Sequence, residues 1–227
     1  MSLPDGGTIA SIFRKLANVF SIRFERGPVD TPQELVSFIL TRSAYIAQTS
    51  LYGYLKTRMG TRYAEIFQDE VFANSINIAK KQIYAACMAD LSVFAAGVVG
   101  QEGRLPPQMM ADLAGYCYER AVQEAFDPTT DSVLLEGGIK AFKHRCEAED
   151  WHLAGEGENA FSTSPKELLD RSPIADELKQ LDERIVLNSI RFRWQDVRAQ
   201  LRKRIDSNSI AAKWREVEPS GSRLSAN

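Results

Sequence analysis

Reactive and metal-binding side chains are scarce in this 227-residue chain, which has three cysteines and two histidines. Cys87, Cys117 and Cys146 form no C-x-x-C pair or other ligand spacing. An odd, sparse set does not build a disulfide framework and suits a reducing compartment. Each falls in a predicted helix and reads as a small core residue. The histidines, His144 and His152, share one face of the run KHRCEAEDWH if a helix continues through both. Helical metal sites place ligands three or four residues apart, a spacing missing here, so no metal is expected.

Catalytic signatures are missing as well. There is no G-x-S-x-G elbow, which removes the common hydrolase anchor. Neither the Walker-type nor the dinucleotide-type glycine loop occurs, so phosphate cradles of those kinds are excluded. A di-metal bundle needs at least two Glu-x-x-His units, and only Glu149–His152 is found. No cofactor is implied. Strand signals are equally thin: alternating runs are brief, and Asn-Gly hairpin turns do not occur. Ser21–Arg26 alternates, but one short strand makes no sheet.

Long apolar runs are few. The most apolar window, Tyr84–Gly100, contains Asp90 and is short for a membrane span. The first residues lack the basic start, apolar run and small-residue cleavage site of a secretory signal. A soluble, cytoplasmic protein is expected, with peripheral membrane contact as an added option. A hydrophobic fraction of 44% and a charged fraction of 26% are ordinary for a globular protein. The formal net charge of −2 argues against a dedicated nucleic-acid binder.

What is present is helical periodicity. Residues 1–7 read as a flexible tail. Over residues 8–26, Ile9, Ile12, Phe13, Leu16, Val19 and Phe20 make one apolar face, the mark of an amphipathic helix. Gly27-Pro28 breaks it. Thr31, Pro32 and Glu34 form a capping box with proline at the first helical position, and Gly60 suits the stop. A further helical run spans about 61–99, with a possible break at Asn74-Ser75. Its alanine-rich second half reads as the most buried helix, and Gly97 there would allow close approach of a neighbour. Helices follow at about 107–126 and 131–152, completing a core domain over 27–153. Ala154–Ser164 is small and polar and reads as a linker. C-terminal helices over 165–217 open with a Ser164/Glu167 capping pattern, run long from Ser172-Pro173 to Ile205, and end in a short helix near 210–217. Residues 218–227 read as a disordered tail. The fold class expected is all-α: one bundle-like domain of about six to eight helices.

Charge is uneven. Residues 104–163 carry five basic and eleven acidic side chains, whereas residues 164–227 carry thirteen and ten. The long C-terminal helix ends in SIRFRWQDVRAQLRKRI, where Ile190, Trp194, Val197, Leu201 and Ile205 make an apolar seam. Arg191, Arg198 and Arg202 line one flank, read first as the solvated face of a core-packed helix, with attraction to the acidic middle of the same chain, and second as a docking face for an acidic protein or anionic lipid. Ile12, Phe13, Leu16 and Phe20 of the first helix are the second partner-binding set. Asp90 is a bare carboxylate in an apolar helix and must be paired, hydrogen-bonded or protonated. Arg42, Lys80 and Arg58 are its expected partners. The reading is a non-enzymatic helical binding protein: an adaptor, assembly factor or regulator with a protein partner. A small-molecule enzyme or ligand-binding bundle is the alternative, with Asp90, Tyr45, His144 and His152 as candidate catalytic groups. Non-specific nucleic-acid binding through the basic helix stands third, and nucleic acid is not the expected partner.

Overall fold

The computed structural model describes residues 27–60 and 69–217. The chain ends, and with them Ile12, Phe13, Leu16 and Phe20, lie outside the described residues. Among the described residues seven helices follow one another: α1 (Pro32–Met59), α2 (Glu70–Gly103), α3 (Pro107–Ala125), α4 (Ser132–Ala148), α5 (Thr163–Arg171), α6 (Asp176–Arg204) and α7 (Ser207–Val217). The fold is all-α, and the described residues contain no strand. One isolated parallel bridge joins Val29 to Ile205. It ties the segment before α1 to the α6–α7 turn: Val29 N donates to Arg204 O and Asp206 N to Val29 O.

Local chemistry explains the helix ends. Thr31 Oγ1 accepts from Glu34 N at 3.1 Å, and the Glu34 carboxylate accepts from Thr31 N at 3.1 Å, so the capping box forms as its sequence predicts. Asp69 caps α2 by accepting from the amides of Val71 and Phe72. The break expected at Asn74-Ser75 does not occur. Ser75 Oγ donates back to Val71 O, which satisfies the hydroxyl inside the helix. α2 also runs four residues past Val99, to Gly103, before Arg104 closes it in the left-handed region at φ 54°. α4 crosses Gly137-Gly138 unbroken but stops at Ala148, leaving His152 outside it. The long C-terminal helix starts later than expected, at Asp176 after the Ser172-Pro173 turn.

α2 is the axis of the bundle. Every residue from Ile83 to Gly100 is buried, so this stretch of the helix is enclosed on all sides, as its largely apolar composition requires. α1, α3, α5 and α7 pack directly around it, while α4 leans mainly on α3, and α6 on α5 and α1. By length and hydropathy α2 could cross a membrane, yet its whole apolar window is buried inside the protein.

The segment read as a linker, 154–164, is part of this packing. Ala154, Ala160 and Phe161 are buried. Phe161 lies between Phe94 of α2 (ring centroids 5.3 Å apart) and Trp194 of α6 (4.6 Å). Its small residues serve contact rather than flexibility. A Cβ on Gly97 would fall 2.4 Å from Gly155 N and 2.6 Å from the Ala154 carbonyl carbon, backbone atoms with no room to yield. The close approach expected at Gly97 is therefore real, but the neighbour is a turn and not a helix.

Gly97→Ala should accordingly destabilise the protein by about 1–3 kcal/mol, the usual cost of overpacking a filled core. Gly115, within α3, has open space around its Cβ position, so Gly115→Ala should leave stability unchanged or raise it by about 0.5–1 kcal/mol. Chemical denaturation of the two variants checks the contrast. Equal effects would mean that the 154–155 turn does not press on α2.

Candidate interaction surface

Asp90 is the polar centre of the interior. It sits on the enclosed part of α2 with no exposed surface, and its charge is answered by groups from two other helices. Arg145 of α4 donates to Oδ1 at 2.7 Å, Thr163 N donates to the same oxygen at 3.1 Å, and Ser164 N donates to Oδ2 at 2.7 Å. Thr163 and Ser164 are the first two residues of α5, and the next, Pro165, has no amide hydrogen. Ser162 at the cap position makes no side-chain cap. Asp90 therefore caps α5 from across the core, satisfying amides that the short helix leaves open. The Ser164/Glu167 capping box anticipated from the sequence gives way to this arrangement. Ser164 Oγ instead accepts from Trp194 Nε1 at 3.0 Å.

The expected partners of Asp90, namely Arg42, Lys80 and Arg58, are corrected to Arg145. Arg58 pairs with Asp182 of α6 instead. Arg145 also donates to Thr163 Oγ1 and Ala160 O and lies 3.5 Å from Glu149. Its guanidinium is thus committed to the fold. The other catalytic candidates do not converge on Asp90. Tyr45 lies on the outer side of α1 and is 39% exposed. His144 is exposed near Glu147 at 3.3 Å. His152 is exposed in the turn after α4, so the two histidines do not share a helix face. No group of metal-ligating side chains occurs among the described residues. Burial pushes the thiols of Cys87 and Cys117 well above their ordinary range, and that of Cys146 up to about 12, which keeps all three protonated at neutral pH.

A groove of about 550 Å³ lies beside this cluster, between α2, α4 and α5. Its floor is made of Ala85, Ala86 and Ala89, and Leu134 and Phe142 form one wall. The arginines at its rim are already answered, Arg145 by Asp90 and Arg171 by Glu167.

The arginine flank of α6 divides. Trp194, Val197 and Leu201 are buried, as the seam predicts, whereas Ile205 is only half-buried and forms the bridge to Val29. Arg191 points to solvent. Arg198 and Arg202 do not form the free docking flank expected of them. Arg198 stacks over Phe161 and lies 3.6 Å from Glu158. Arg202 donates to Gly155 O at 2.6 Å and stacks over Phe94. Both clamp the 154–161 segment, because that segment offers a carbonyl, a carboxylate and the Phe161 ring, and α2 offers the Phe94 ring, within reach of long side chains.

The opposite face of α6 carries the feature that the sequence reading missed. Leu178, Leu181, Ile185 and Phe192 are 38%, 76%, 70% and 69% exposed. Their steps of three, four and seven residues place them on one stripe. Asn188, also exposed, fills the remaining position. The signal was present in the sequence as a second heptad seam. It was obscured by the acids interleaved with it, which made the first half of the helix look uniformly solvated.

Asp90→Asn should cost nearly as much as Asp90→Ala, about 3–5 kcal/mol, because the charge facing Arg145 is lost and the amide NH₂ would face either the Arg145 and Thr163 donors or the Ser164 amide. Arg191→Glu should change stability by less than about 0.5 kcal/mol, and Arg202→Glu should lower it by about 1–2 kcal/mol through the lost carbonyl bond and stacking. Equilibrium denaturation distinguishes the four; a neutral Asp90→Asn would remove the carboxylate from its capping role. No protein-family model matches the sequence, no curated protein matches it, and no solved structure matches the fold.

Proposed function

We propose that this protein acts by binding another polypeptide through the outer face of α6, as an adaptor, assembly factor or regulator. One observation carries the reading: a 29-residue helix whose inner seam is buried in the core holds a second apolar seam in solvent. Single exposed apolar side chains are common, but a continuous stripe marks a surface meant to be covered. Its heptad spacing fits a helix from the partner, whose side chains would interlock with Leu178, Leu181, Ile185 and Phe192. The clamping roles of Arg198 and Arg202 shift the weight from the basic flank to this stripe. They also reduce the cationic surface that a nucleic-acid backbone would need. The membrane reading rested on the first helix and lies outside the described residues.

The test is site-specific photocrosslinking in living cells, with the photoreactive amino acid at position 185 and, as control, at the exposed Lys140 of α4. Adducts to polypeptide should form from position 185 and disappear when Leu181→Gln is added. Leu181→Gln should itself change folding stability by less than about 0.5 kcal/mol, since the side chain leaves no cavity. Adducts from position 185 no stronger than those from position 140 would remove the proposal.

A further inference from the structure

We infer that the occupant of the α6 stripe is a second copy of this chain, lying antiparallel about a two-fold axis near Ile185. The inference rests on the reading of the stripe as a polypeptide-docking face and names what docks there. A two-fold interface uses one patch twice, so the patch must complement itself. The apolar part does so trivially, since stripe on stripe removes both from water.

The charges along α6 decide the orientation. Exposed Glu177 flanks the stripe near its start and exposed Arg191 lies on the same flank near its end, with Arg184 between them beside the axis, whereas Glu183 falls on the far side of the helix, one heptad before Ile190. Among the described residues, Glu177 and Arg191 make no ion pair, whereas the neighbouring Asp182 is held by Arg58. Antiparallel pairing brings Glu177 of each copy beside Arg191 of the other. Parallel pairing would set acids against acids and arginines against arginines, which charge patterns flanking helical seams select against.

Size sets the strength. From Leu178 to Phe192 the stripe extends about 21 Å at the usual helical rise, small beside the area of a permanent dimer. Asn188 within the seam lowers affinity further while favouring one register. A weak, reversible dimer follows, one that concentration controls.

Sedimentation of the full-length chain from low-micromolar to near-millimolar concentration should show a reversible monomer–dimer equilibrium. Leu181→Gln with Ile185→Gln should raise Kd by at least about tenfold. Glu177→Arg should also raise it by about tenfold, as should Arg191→Glu, and the two together should restore the original value. Circular dichroism should show every variant folded, because all four positions are exposed. Charge variants that leave the dimer unchanged would overturn the antiparallel arrangement. A chain monomeric throughout, whose position-185 crosslinker joins another protein, would overturn the second copy but leave the docking face standing. Crosslinks to Ile12, Phe13, Leu16 or Phe20 of the same chain would assign the stripe to the chain's own first segment and overturn the inference. A monomer with no adducts would overturn both the inference and the reading beneath it.

Discussion

Desolvating Asp90 is the constraint around which the rest of the structure is arranged. A carboxylate without solvent access must find its hydrogen bonds inside the protein, and Asp90 finds them on α4 and at the start of α5. The dependence runs both ways. α5 has nine residues, no side-chain cap of its own and a proline third in line, so its remaining first-turn amides need an acceptor from elsewhere. Seated on Asp90, α5 presents the Ser164 hydroxyl to Trp194 and so fixes the height of α6 on the bundle. One carboxylate thereby sets the relative positions of α2, α4, α5 and α6.

The 154–161 segment closes the same assembly from the other side. Phe161 fills the space between α2 and α6, Gly97 and Gly155 meet backbone to backbone, and Arg198 and Arg202 hold the segment down. The uneven charge of the sequence has a local meaning here. Part of the basic C-terminal surplus is bound to the middle of its own chain and is not held out for an external partner. What remains unanswered on α6 is its outer face, with an apolar stripe and two sets of opposite charge in solvent.

Much of the architecture was legible in the sequence, because it depends on signals confined to a few neighbouring residues. The Thr31–Glu34 box, the largely apolar second half of α2 and the Ile190–Leu201 seam all specify helix and burial from local spacing. The failures share a cause. Asp90's partner lies 55 residues away, and nothing in the spacing of Arg145 distinguishes it from other arginines. Ala154–Ser164 is small and polar, which is the composition of a linker and equally of a turn that must approach a glycine closely; only the position of Gly97 decides between them. On α6 two apolar seams lie on opposite faces, so their periodicities mix, and the more hydrophobic inner one masks the outer.

The separation between those two faces gives the protein independent control of folding and association. Inner positions such as Trp194 and Leu201 are closely packed, and changing them acts on stability through cavities and lost contacts. Outer positions such as Leu181 and Ile185 have few neighbours in the monomer, so a change there acts mainly on what the surface meets. The same asymmetry explains how an exposed apolar stripe is tolerated. Glu177, Arg184 and Arg191 flank it with both signs of charge, which raises the cost of any contact that does not match their order along the helix. An apolar face guarded in this way discriminates by polarity and register, and its selectivity is built into the charge sequence of a single helix.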